Sequence, residues 1–533
     1  MEPGSTAGCG GCITRCRGRC ADRLPARISR ATAQWALPSA MAAVIAVCNL
    51  GGPLGTLIVS AVLVWAFIGV ALNLALAPPP GPDAVVHQDA GAVEAPGGHH
   101  SEEEVAGSHR LLHDAAGVHA AAAAMPAQQP TSRETYLDAV KAALAVIVIV
   151  HHTAGAFAGG GSLGLSVGNY RSAAQPILLS FQLLNQSYFM SLFFFVSAYF
   201  VPAPIARKGV RFFLRDRGAR LGMPFLFIYL LLAPAWMLVV QAAQGTFFSG
   251  FSPSYVGPPW FVVWLGVFCF AYASVAEAGG PASHVVCALP SPGVLALVGL
   301  GLGGAQALQL IYFPAFPLMP ITFGSLPSDV AAFVAGILAR RNGWLAAPFP
   351  RALVWTARAY AVAFALALIG GLQALHAAGG GAYLLSRNAC GQPADRDGGL
   401  EGVGVIALLS LASGPFTIFM SVAVLDLART FANGPPSPVG KLLAKNAYGA
   451  YLLHPTLVFP ATLGAGVFAA SRTGAPVVWA PGSSDSTSCL AQPGGSEAGV
   501  LLLGFLAVSV VSLVGTYALA ALVRLIPGVA KVL

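Results

Sequence analysis

A histidine pair on an apolar helix is the part of this sequence best suited to chemistry. In Tyr136 to His152, YLDAVKAALAVIVIVHH, a lysine enters an apolar run and His152 follows eleven positions later. At about 100° per residue, Lys141 and His152 lie ~20° apart around a helix, and at ~1.5 Å rise they are roughly 16 Å apart along its axis. With Lys141 at a membrane boundary, His152 sits near the middle of a ~30 Å hydrocarbon core. Imidazole exchanges its proton near neutral pH, so in a dry site it can serve as a general base or carry an acyl group transiently. The competing role is a histidine packed at a helix interface or bonded to a backbone carbonyl. His151 is adjacent but turned by about 100° and ranks second. Asp138 can pair with Lys141 on the helix surface. At about 21 Å from His152 it is too far to orient the imidazole, and no Ser-His-Asp triad can be assembled from the local sequence.

Two further constellations carry candidate residues. After the aromatic stretch MSLFFFVSAYF comes the basic segment RKGVRFFLRDRGARLGMPF, in which Arg217 and Arg220 are spaced as RGAR. On charge alone this is a topological flank, but on a helix the two guanidiniums point the same way, an arrangement suited to phosphate. The segment NAYGAYLLHP offers Tyr448, Tyr451 and His454 to a polar cavity; His454, before Pro455, can equally cap backbone carbonyls that the proline frees. Cys9, Cys12, Cys16 and Cys20 have the spacing of a metal cluster but are interleaved with arginine in a segment resembling a targeting peptide, so no metal site is expected. His109, His113 and His119 read as solvated linker. Cys390 and Cys489 are expected on the outer side, where an oxidising medium would let them form a disulfide.

The elements that must position these residues are membrane helices. The chain is 56% hydrophobic and 9% charged, with a mean hydropathy of +0.72, which excludes an ordinary soluble domain. Its net charge of +8 sits in the first residues and in short segments between apolar runs, a topological pattern and not a nucleic-acid footprint. The fold class expected is all-α, a polytopic transmembrane bundle. About ten core spans are placed at 139–157, 177–201, 221–243, 259–276, 291–312, 326–340, 354–377, 402–428, 447–470 and 499–523. Basic residues fall mainly in alternate connections, which places both ends of this core in the cytosol. Residues 1–130 form an N-terminal extension with a basic start, an apolar segment at 41–77 contributing one or two further spans, and a polar low-complexity linker; residues 131–533 form the transmembrane domain.

In this order the motifs resemble the acyltransferase type 3 family, integral membrane enzymes that move acyl groups from coenzyme A donors to hydroxyls. The resemblance covers about residues 133–530. It rests on Lys141 with His152, the aromatic stretch ending SAYF, Arg217 with Arg220, PPWFVVWL at Pro258 to Leu265, FVAGILARRNGWL at Phe333 to Leu345, and AYGAYLLHP. It implies a ten-helix domain, an essential His152, and Arg217 and Arg220 near the coenzyme A head, with Lys141 beside them. Lysine stands at 141 where the family often has arginine, and the N-terminal extension has no counterpart there.

The activity this implies is transfer of an acyl group, most simply acetyl, from acyl-CoA to a carbohydrate or lipid hydroxyl within the bilayer, with no bound cofactor and no nucleic-acid partner. The alternative is a solute or proton-coupled transporter, which also uses a mid-membrane histidine and basic cytosolic loops.

Overall fold

The computed structural model describes residues 134–158, 165–166, 172–243, 259–278, 287–312, 326–378, 400–473, 478–481, 488–491 and 498–533. The N-terminal extension, its cysteines and histidines, and Cys390 lie outside the described residues.

Thirteen α-helices follow one another among the described residues: α1 (Thr135–Phe157), α2 (Gln175–Tyr199), α3 (Pro202–Arg217), α4 (Met223–Phe227), α5 (Ala233–Ala243), α6 (Trp260–Ala278), α7 (Pro292–Tyr312), α8 (Leu326–Arg341), α9 (Arg351–Ala377), α10 (Leu400–Ala432), α11 (Pro438–Leu453), α12 (Pro455–Thr473) and α13 (Ala498–Val523). Two π-helical turns, Gly218–Gly222 and Ile228–Leu232, join α3, α4 and α5 into one run. Each of the ten core segments expected to span falls on helical residues, the segment 447–470 being divided between α11 and α12, and the apolar segment 41–77 lies outside the described residues. By length and apolarity alone, seven helices qualify, and α11 with α12 makes an eighth if that bent pair is one span; Trp260–Ala276 is apolar but shorter. The bundle departs from all-α in one detail. β1 (Leu165–Ser166), β2 (Val478–Pro481) and β3 (Ser488–Ala491) form a small sheet in the order β1-β3-β2, with β1 parallel and β2 antiparallel to β3. The strands sit in the α1–α2 and α12–α13 connections, where backbone groups not held in a helix can pair with one another.

Lipid-facing helices cannot gain much from hydrophobic burial against one another, so close backbone approach at small residues holds them together. On α7, Gly299 and Gly303 face Ser410 and Gly414 of α10. A Cβ at Gly303 would collide with the Ser410 carbonyl oxygen, and one at Gly414 with the Gly299 carbonyl oxygen. Gly336 of α8 likewise presses on the Phe195 carbonyl of α2. Where backbones stand further apart, aromatic rings fill the space. Phe194 of α2, 0% exposed, packs on Phe261 and Phe268 of α6 with centroids 4.6 Å and 5.1 Å away, and Phe268 meets Phe333 of α8 at 5.3 Å.

The cationic residues tie the helices together at one end of the bundle. Tyr199, closing α2, donates to Glu134 Oε1 at the start of α1 (2.8 Å) and takes a long hydrogen bond from Arg340 of α8 (3.5 Å). Arg429 near the end of α10 lies over the Tyr136 ring (5.8 Å to the centroid) and donates to the Ala347 carbonyl (2.6 Å). Arg358 of α9 pairs with Asp426 of α10 at 2.8 Å, and Arg524 after α13 donates to the Lys445 carbonyl of α11 at 2.8 Å.

Candidate functional site

The helix α1 is unbroken through both histidines, so their side chains diverge as the sequence expects. His151 is buried, its ring 5.1 Å from that of Phe189 on α2. It meets His152 edge-on at 5.5 Å and 87°. The His152 ring lies 5.0 Å from the ring of His454, nearly parallel at 25°. Two candidates some three hundred residues apart in the chain are therefore brought into face contact.

The reason lies at Pro455. A helix continuing past Leu453 would bond the amide of residue 455 to the Tyr451 carbonyl, but proline has no N–H to give. The run breaks there and turns by 67°. His454 supplies the missing donor: its Nδ1 lies 2.6 Å from the Tyr451 oxygen. A carbonyl can only accept, so Nδ1 carries the proton and the lone pair resides on Nε2. That nitrogen is buried without a hydrogen-bond partner, on a residue 0% exposed. Of the two roles anticipated for His454, Nδ1 makes the capping contact with the Tyr451 carbonyl.

The other candidates occupy the basic end. Lys141 makes the expected pair with Asp138, at 2.8 Å, and its Nζ lies 4.7 Å from the Phe200 ring centroid. A π turn, Gly218–Gly222, begins between Arg217 and Arg220, and Asp216 engages the exposed Arg220 at 3.0 Å. Arg217 folds over the Phe213 ring (5.1 Å) and keeps its Nε buried and unbonded. The Tyr448 hydroxyl donates to the Arg220 carbonyl (2.6 Å), fixing α11 to the π turn.

The family model for the acyltransferase domain of the type 3 acyltransferases matches residues 134–521. The chain belongs to the acyltransferase type 3 family. Comparison with curated proteins and with solved structures found no match. The protein is thus a multi-pass membrane acyltransferase, an enzyme that transfers acyl groups other than aminoacyl groups.

Sequence reasoning missed one buried acid of this acyltransferase. Asp329, 2% exposed in the first turn of α8, accepts a hydrogen bond from Ser191 Oγ of α2 at 2.7 Å. Ser191 is two residues from Phe189, the ring that backs His151. The signal was available: Asp329 is the one carboxylate in α8, and an acid inside an apolar helix is a functional candidate until its partner is known. Among the described residues, no group of three or more His, Cys, Asp or Glu side chains could hold a metal.

Proposed function

We propose that the acyltransferase crosses the bilayer ten times and moves an acyl group, most simply acetyl, from acyl-CoA to a hydroxyl of a carbohydrate or lipid acceptor. What carries this reading is the stacked pair of His152 and His454 at a helix break inside an apolar bundle. Such a pair brings a proton acceptor into a water-poor environment, where an alcohol can be made nucleophilic without losing the acyl group to hydrolysis.

The donor approaches from the basic end, which the positive-inside pattern assigns to the cytosol. Arg217 is the residue best prepared for a phosphate, because its guanidinium is half-buried and its Nε has no partner to give up. Lys141, about 16 Å below His152 on α1, adds a cation along the path that a pantetheine arm would take. The transfer is direct. His152 takes the proton of the acceptor hydroxyl as its oxygen attacks the thioester carbonyl. The C–S bond then breaks, and the coenzyme A thiolate leaves with the proton from the imidazolium. His454 acts as a positioning residue: it holds the His152 ring by stacking and leaves its Nε2 lone pair available to a second hydroxyl.

The test is acyl transfer in membranes containing the full chain, with radiolabelled acetyl-CoA and label followed into glycans and lipids. Labelled ester in membranes with the protein, and none in membranes without it, supports the reading. Solute flux into vesicles with no consumption of acetyl-CoA would overturn it in favour of transport.

The two arginines give a second expectation. Arg217→Ala should raise the donor KM roughly tenfold or more, the loss of a charge-assisted hydrogen bond worth ~1.5–3 kcal/mol. Arg220→Ala should change it less, since Asp216 and solvent already engage that side chain. Initial rates at varied acetyl-CoA decide this, and equal donor KM values in both variants and the wild type would reduce the pair to topological charges.

A further inference from the structure

Several cations at the basic end are taken up by the protein itself: Lys141 by Asp138, Arg341 by the Tyr272 hydroxyl (2.9 Å), Arg358 by Asp426, and Arg429 and Arg524 by backbone carbonyls. The stretch 201–233 is different. It carries Arg207, Lys208, Arg211, Arg215, Arg217 and Arg220 against a single acid, Asp216, which is already paired with Arg220. Arg207, Lys208, Arg211 and Arg215 are exposed, and among the described residues no hydrogen bond or ion pair engages them. Arg211 and Arg215 stand one turn apart on the same face, a like-charge spacing that destabilises a helix. An anion lying between them would reverse the sign of that interaction.

The rest of this stretch matches a molecule with an anionic head and an apolar tail. Gly209 takes φ +78° and ψ 165°, a conformation other residues adopt only under strain, so α3 is an elbow of two short helices. Across the elbow, Lys208 Nζ lies 4.4 Å from the centroid of the exposed Phe212 ring. Further along the same helical run, Met223, Phe227, Leu230 and Leu231 are 52–59% exposed. Met223 and Phe227 follow Arg215 by eight and twelve residues, roughly 12 and 18 Å along a helix, the depth of one leaflet with its headgroup. Unengaged cations and uncovered apolar side chains therefore lie along a single phospholipid length. A free phosphate or coenzyme A would meet only the cationic part of that pattern.

We infer that the elbow of α3, with Arg207, Lys208, Arg211 and Arg215 for the headgroup and Met223, Phe227 and Leu231 for an acyl chain, is a binding surface for an anionic phospholipid of the leaflet at the basic end. All four cations attract the headgroup, and the arginines add charge-assisted hydrogen bonds to phosphate oxygens. Arg217, whose Nε is buried beside Phe213, stands apart from this surface. The inference does not depend on which donor or acceptor the enzyme uses.

The experiment titrates the full chain in detergent with phosphatidylglycerol or phosphatidylcholine and counts bound lipid by native mass spectrometry. The variants are Arg211→Gln, Arg211→Gln with Arg215→Gln, the charge-preserving Arg211→Lys, and Arg351→Gln, which removes an exposed cation at the start of α9. Expected are tighter binding of phosphatidylglycerol than of phosphatidylcholine by the wild type, and a loss of phosphatidylglycerol affinity of roughly fivefold for each arginine removed. Phosphatidylcholine binding should not change, and Arg211→Lys and Arg351→Gln should bind both lipids like the wild type. Glycerol 3-phosphate, a headgroup without a tail, and coenzyme A should fail to displace phosphatidylglycerol. Equal wild-type affinity for the two lipids would overturn the surface, and that comparison needs no variant to fold. An equal loss in Arg351→Gln would overturn it in favour of diffuse surface charge. Displacement by glycerol 3-phosphate or coenzyme A would overturn it in favour of a soluble phosphate.

Discussion

Membranes carrying His152→Ala are expected to transfer acyl groups ~10²–10⁴-fold more slowly than wild type, the range associated with loss of a general base. His151→Ala should cost far less. His151 rests against Phe189 and meets His152 only edge-on, whereas His152 shares a stacked face with His454 across the helix break. The comparison separates chemistry from packing, because both residues are consecutive on α1 and each removal leaves a similar void. Label incorporation from acetyl-CoA, normalised to monodisperse protein after size exclusion, is the measurement. Equal and small losses in the two variants would remove His152 from the reaction.

The second large effect concerns assembly of the bundle. Gly303→Leu is expected to abolish monodisperse protein or to lower its stability by ~3 kcal/mol or more, toward the upper end of what overpacking costs. The added side chain would begin inside the Ser410 carbonyl oxygen, and a backbone atom of a packed helix cannot rotate away as a side-chain tip can. Gly301→Leu, two residues away on the same helix, is the internal control: nothing lies within 4 Å of a Cβ placed there, so it should insert and purify like wild type. Fluorescence-detected size exclusion with a heating series reads both. Comparable behaviour of the two variants would mean that α7 and α10 do not depend on the contact between Gly299, Gly303, Ser410 and Gly414.

The sequence was a good guide wherever a property belongs to one segment. The apolar runs of the core became helices, the Asp138–Lys141 pair formed, and His151 and His152 diverged as helical geometry requires. It was a poorer guide where the answer depends on a neighbour. The π turn beside Arg217 and Arg220, and the carboxylate of Asp216 that engages Arg220, were not legible from the RGAR spacing. The hydrogen bond of Tyr448 depends on the carbonyl that α11 happens to meet. For His454 the local logic was complete, since Pro455 dictates a freed carbonyl and a donor for it, but the encounter with His152 is a tertiary fact. The glycine spacing in α7 was visible as a pattern. Its partner was not, and a small-residue row acquires meaning only from what faces it.

The break at Pro455 also governs how this stretch of chain fits its solvent. Laid end to end, α11 and α12, with 16 and 19 residues, would make a rod of about 54 Å, far longer than a hydrocarbon layer of ~30 Å. Turned by 67°, the outer half advances only about 11 Å along the direction of the inner half, so the pair reaches roughly 35 Å in all. The proline that leaves a histidine nitrogen free is therefore also a length adjuster, and a straightened chain would have to tilt, thicken the bilayer around it or expose apolar turns to water.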